Sequence, residues 1–144
     1  MNRNLIFAVL LFVGGFLAAC AEMDSMMGTG SASSPTGTLS KQLGVTETQA
    51  AGGTGAILAF AQQRLAAGDF DVVAKAIPGS DKYLSAAKQL LGGASISDKA
   101  GLQSAFSKLG MSPDMVNKFA PILTDYVGKT GGDQAKNLLA GVLK

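Results

Sequence analysis

The chain has 144 residues, which is the length of one domain, and its 12 Lys and Arg against 10 Asp and Glu leave a formal net charge of +2. So small an excess does not indicate a nucleic-acid-binding protein. The sequence has no His and no Trp, and Cys20 is its single cysteine. This composition excludes Ser-His-Asp and Cys-His catalysis, a zinc site of Cys and His, and a structural disulfide within the chain.

The first 20 residues predict an export and anchoring signal. Arg3 precedes an apolar run of 13 residues at 5–17, which is shorter than the ~20 residues of a membrane-spanning helix but typical of a secretory signal. The run ends in Leu17-Ala18-Ala19-Cys20, which resembles the lipobox of bacterial lipoproteins. The resemblance implies cleavage before Cys20 by lipoprotein signal peptidase and a diacylglycerol on its thiol. Two alternatives are an ordinary secretory signal beside an unrelated cysteine and a retained membrane anchor.

Three segments follow from this interpretation: a signal peptide at 1–19, the acylated Cys20 with a flexible tether at 20–38, and a helical domain at 39–144. The tether is rich in Ser, Gly and Thr and shows no periodicity. The predicted location is the cell envelope, with the domain facing the periplasm. The lipobox resemblance also favours the outer over the inner membrane, because Ala21 rather than Asp follows the cysteine.

The pattern of the domain predicts an all-α fold, a small bundle of five to six short helices behind the flexible N-terminal tether. Thr46 and Gln49 have the spacing of a capping box, and Ser112-Pro113-Asp114 is a second clear helix start. Gly-Gly and Pro-Gly pairs predict helix ends. The predicted helices cover residues 46–67, 69–77, 80–91, 97–109, 112–130 and 133–143. The helix at 112–130 has the broadest apolar face, and we expect it to be the most buried.

The glycine-rich segment at 51–55 is a poor phosphate loop, because it lacks the Gly-Lys-Ser/Thr ending and no strand precedes it. Gly52 and Gly55 fall at helical spacing with Ala56 and Ala59, which predicts a smooth face against which another helix lies closely. A break in the helix near Gly52 is the alternative.

Pro121 lies inside a predicted helix and is expected to kink it, since its ring opposes the carbonyl of Asn117. Such a kink would splay an apolar face opposite the glycine-rich one. The sequence therefore suggests a binding groove, and in the alternative the two faces pack on each other and fill the core. The candidate groove residues are Gly52, Gly55, Phe119, Ile122 and Tyr126.

Polar pairs elsewhere are weak candidates for catalysis. Asp69 and Asp71 point in different directions at a helix start, and Ser80-Asp81-Lys82 and Ser97-Asp98-Lys99 are explained by helix capping. We therefore predict no catalytic residue, metal site or cofactor, and a protein that is not an enzyme.

The domain resembles the VcgC/VcgE-type bacterial family of unknown function, on the segments 43–65, 69–84 and 109–127. The resemblance implies an envelope or secreted protein, and no functional residue can be carried over from it. The predicted role is a protein-interaction or structural accessory that is held to the membrane through Cys20 and contacts an envelope protein. The alternatives are a carrier or sensor of a small apolar ligand such as a lipid, which an interior cavity above ~300 Å³ would favour, and a weak hydrolase.

Overall fold

A computed structural model describes residues 34–144, so the predicted signal peptide, Cys20 and most of the predicted tether lie outside the described residues. The described part contains six helices and no strand, which confirms the predicted all-α bundle. The helices are α1 (Pro35–Leu43), α2 (Glu47–Arg64), α3 (Ala67–Ala76), α4 (Ser80–Leu91), α5 (Lys99–Lys108) and α6 (Met115–Leu143).

The first helix begins at Pro35, four residues before the predicted domain boundary at 39. Ser34 caps it, because its Oγ accepts a hydrogen bond from the backbone N–H of Gly37 at 3.1 Å, and Pro35 occupies the first helical position. Leu39 is fully buried in the core. Residues 35–38 are therefore part of the helical domain.

The central element is α2, which begins with the predicted capping box. The Thr46 side chain accepts from the Gln49 N–H at 3.1 Å, and the Gln49 side chain accepts from the Thr46 N–H at 3.1 Å. Ten of its 18 residues are buried, on several faces rather than along one stripe. The expectation that residues 112–130 form the most buried helix is therefore wrong, because α2 has neighbours on several sides.

The last helical element reverses direction at Gly132, the residue of α6 with non-helical angles (φ 82°, ψ 179°). Lys136 Nζ lies 3.2 Å from Asp125 Oδ1. A straight helix would separate these residues by ~16 Å along its axis, so residues 133–143 must fold back beside residues 115–131. Dihedral angles remain helical at Pro121, so the kink expected there does not interrupt the helix. The interruption lies at Gly132, between the predicted helices at 112–130 and 133–143.

Two helix connections meet at one end of α2. Gly44 follows α1 and Gly110 follows α5, both with left-handed φ. The Gln49 Nε2 amide donates to the carbonyl oxygen of Leu109 at 3.1 Å. The side chain that completes the capping box of α2 therefore also holds the end of α5 in place.

Candidate functional site

The two glycines of the predicted groove lie at contacts between helices. A Cβ at Gly52 would lie 2.7 Å from Leu109 Cδ2 and 3.0 Å from Leu90 Cδ1. A Cβ at Gly55 would overlap the backbone carbonyl of Tyr83 and lie 2.8 Å from Ala87 Cβ. The helix is continuous through this segment, so the expectation of close packing holds and the alternative of a break does not. Each glycine, however, faces a different set of neighbours.

Phe119 packs against Gly53, which was not among the predicted groove residues. A Cβ at Gly53 would lie 2.7 Å from Phe119 Cε1 and 3.2 Å from Phe106 Cζ. The two rings form an edge-to-face pair with centroids 5.0 Å apart, and both are fully buried. Neighbouring helices therefore fill the space at Gly52, Gly55 and Phe119 and leave no room there for a ligand.

Ile122 and Tyr126, the other two predicted groove residues, are half-buried on α6. Burial, and to a lesser extent the nearby Tyr83, raises the pKa of the Tyr126 phenol above its ordinary value of 10.0. Ile122 does not line either of the two clefts described below, and neither does Tyr126. The structure thus separates these two residues from the buried glycines.

The polar pairs have structural roles or lie at the surface. Asp98, rather than the expected Ser97, caps α5 by accepting from the Gly101 N–H at 2.6 Å. Ser80 is the first residue of α4, and its side chain makes no capping bond. Asp69 lies in the first turn of α3, where a negative charge complements the helix dipole. In residues 34–144, no three acidic or cysteine side chains are close enough to hold a metal ion.

Two buried hydroxyl groups were not predicted. Thr54 is fully buried on α2, and its Oγ1 has no hydrogen-bond partner. Ser40 Oγ is likewise buried and without a partner. A buried hydroxyl without a partner is costly, by about 1–3 kcal/mol in mutational data. The sequence did not indicate the burial of Thr54, because α2 has no apolar stripe that would mark position 54 as facing the core.

Two surface clefts are present on the described part of the chain. One has a volume of about 360 Å³ and lies between the two antiparallel arms of α6, where its wall combines Ala120, Pro121 and Thr124 with Ala140 and Leu143. The other, of about 340 Å³, lies along the exposed side of α4. Both are open to solvent. Leu90, at 43% exposure, is the exposed large apolar side chain of the described residues and lies beside Gly52.

This geometry defines the class of the protein. It is an all-helical domain with a filled apolar core and shallow clefts that are open to solvent. Among residues 34–144, none of the helices combines the length and apolar content of a membrane span. The family described as "protein of unknown function VcgC/VcgE" matches residues 19–144, and the chain belongs to this family. A search of curated proteins found no match, and neither did a search of solved structures.

Proposed function

We propose that the protein is a bacterial envelope lipoprotein, anchored through an acylated Cys20, whose helical domain is a non-enzymatic interaction or structural accessory of another envelope protein. The observation that carries the proposal is the sequence Leu17-Ala18-Ala19-Cys20, which ends an apolar run of 13 residues and contains the chain's single cysteine. The family match begins at residue 19, beside the proposed cleavage site. The proposed signal and the family's domain therefore meet at the same place.

The described helices support the non-enzymatic part of the proposal. Titratable groups are dispersed over the surface, and the core is closed by contacts such as that of Phe106 with Phe119. Such a domain presents helix surfaces and shallow clefts to a partner. Neither of the two clefts described is a deep pocket. The cleft between the arms of α6 is the more informative place to probe, because its wall is mostly apolar.

The anchor is tested by metabolic labelling with an alkyne fatty acid in cells that produce the full chain. We expect label on the wild-type protein and none on Cys20→Ser, because the thioether to the diacylglycerol needs the thiol. A protein labelled with amide-linked fatty acid alone would keep its label in the Ser variant. Equal labelling of the two proteins would therefore contradict anchoring through Cys20.

The accessory role is tested by photo-crosslinking in intact cells. A photoreactive residue is placed at Ala140, in the cleft between the arms of α6, and separately at Gln89, in the α4 cleft. We expect a discrete crosslinked product from one of the two positions. This product should disappear when a charged residue is introduced beside that position, and it should persist when the same charged residue is introduced at the other cleft. Diffuse crosslinked products whose amounts do not change with these substitutions would contradict a specific partner at either cleft.

A further inference from the structure

We propose that residues 133–144 exchange between two copies of this chain, with Gly132 as the hinge, so that the hairpin of α6 opens into one continuous helix. The inference is independent of the anchor and of the proposed accessory role. Its partner is a second copy of the chain, and its product is a domain-swapped dimer.

The hinge is a single residue. Helical backbone extends on both sides of Gly132, and Gly132 alone departs from it within α6, at φ 82° and ψ 179°. This region of backbone angles is open almost only to glycine. Rotation of one residue into helical angles would thus join the two arms into a helix of 29 residues, and the new backbone hydrogen bonds across the joint would favour that form. Very short connections between docked helices are the connections that favour exchange.

The exchanging arm is held by contacts that a second copy can reproduce. Ala135 and Leu139 are its fully buried side chains, and the same sites on another copy would bury them equally. Its ion pair, Lys136 with Asp125, is exposed at 44% and 65% and therefore stabilises the closed hairpin little. The closed and exchanged forms differ mainly at the hinge.

The other side of the hinge is fixed to the rest of the domain. Thr130 Oγ1 donates to the carbonyl oxygen of Ala76 at 2.5 Å. Gly131 lies so close to Ala76 that a Cβ there would overlap the Ala76 side chain. Because residues 130 and 131 are tied to α3, an opening motion is confined to Gly132 and the arm that follows it.

A pair of cysteines reports which chain supplies the arm. A Cβ built at Gly128 lies 3.3 Å from Lys136 Cβ, close to the ~3.8 Å separation of disulfide-bonded cysteines. In the closed hairpin, Gly128→Cys with Lys136→Cys forms a bond within one chain. In the exchanged form, the same pair links two chains. The full chain is used in intact cells with Cys20→Ser, so that no other thiol is present, and the products are separated on a non-reducing denaturing gel after oxidation with diamide.

The decisive comparison is between two Gly→Ala variants in the double-cysteine background. Ala at 132 disfavours the closed hinge and favours the continuous helix, so we expect Gly132→Ala to raise the ratio of linked dimer to monomer at least tenfold. Gly141→Ala lies on the same arm, at ordinary angles and with nothing within 4 Å of its Cβ, and should leave the ratio unchanged. Gly128→Cys alone measures accidental crosslinking.

Lengthening the hinge gives an independent test if Gly132→Ala does not accumulate. Three glycines inserted after Gly132 relax the reversal, so we expect the dimer of the wild-type hinge to fall to the level of the single-cysteine control. The proposal is overturned if dimer never exceeds that control with either hinge, if Gly132→Ala and Gly141→Ala give equal ratios, or if the insertion leaves the wild-type dimer unchanged.

Discussion

Gly55 is the position at which a single added methyl group should disturb the domain most. α2 and α4 approach so closely there that a Cβ at Gly55 would overlap the carbonyl oxygen of Tyr83 and lie 2.6 Å from its carbonyl carbon. Ordinary van der Waals contact begins at 3.4 Å. The two helices would therefore have to separate by about 0.8 Å or more, and backbone atoms cannot rotate away as the end of a side chain can.

The size of the effect follows from two destabilising contributions and one stabilising contribution. Overpacking a core typically costs about 1–3 kcal/mol, and a rigid backbone neighbour places Gly55→Ala at the upper end. A gap of 0.5–1 Å elsewhere along the interface also loses about a quarter to a half of the attraction between facing atoms. Ala in place of Gly stabilises the helix by about 1 kcal/mol because Ala has the higher helix propensity. The expected net loss is about 2 kcal/mol or more in the free energy of unfolding.

Urea denaturation of residues 34–144, followed by circular dichroism at 222 nm, measures this loss. Gly52→Ala is the matched comparison, because the atoms nearest its Cβ are the ends of the Leu90 and Leu109 side chains and Leu90 is 43% exposed. We expect a change within about 1 kcal/mol there, since propensity offsets the crowding. Gly68→Ala, with nothing within 4 Å, should gain about 0.5 kcal/mol. Equal changes at positions 52 and 55 would refute the close approach of α2 and α4.

Three further predictions concern buried or half-buried side chains and use the same denaturation assay. Phe106→Ala removes a fully buried ring from its pair with Phe119 and should cost about 3–5 kcal/mol, whereas a cost below about 1 kcal/mol would place the ring outside the core. Thr54→Val removes a buried hydroxyl without a partner and should stabilise the domain by about 1–3 kcal/mol, while a loss of stability would show that the hydroxyl is bonded. Because burial raises the pKa of Tyr126 above 10.0, the folded state holds this proton more tightly, so its contribution to stability is present below pH ~10 and lost above it. Tyr126→Phe should therefore flatten the decline in stability as the pH rises above about 10, and identical declines in the two proteins would contradict the shift.

Helix starts and stops were predictable where one local motif decides them. The capping box of Thr46 and Gln49 forms as its spacing indicates, and Gly92 ends α4 in a left-handed conformation. The start of α1 was missed because Ser34 and Pro35 stand in a Ser-, Gly- and Thr-rich segment, although Ser followed by Pro is itself a helix-start signal. The same local rule, applied with less weight to composition, would have found this helix.

The central position of α2 was not predictable from periodicity. A helix with one buried face shows a stripe of apolar residues, but α2 is enclosed on several sides and is rich in Ala and Gly, so its sequence has no stripe. Gly53 was therefore not assigned to the groove, although it contacts both Phe106 and Phe119. Spacing identifies which residues share a face of a helix, and it does not identify which helix that face meets.

Pro121 and Gly132 differ in how well the sequence predicted their effect on α6: the glycine pair at 131–132 marked the break, whereas the kink expected at Pro121 is absent from the helical backbone angles. Proline removes one backbone hydrogen bond, yet Pro121 is exposed and its helix continues through it. Gly132 has backbone angles that almost only glycine adopts. A bend at a proline could not produce the same reversal of direction. The reversal at Gly132 brings Ala135 and Leu139 into the core and forms the cleft beside Pro121. The apolar surface near Pro121 is therefore created by the arm that folds back on it, and its exposure depends on whether that arm stays in its own chain.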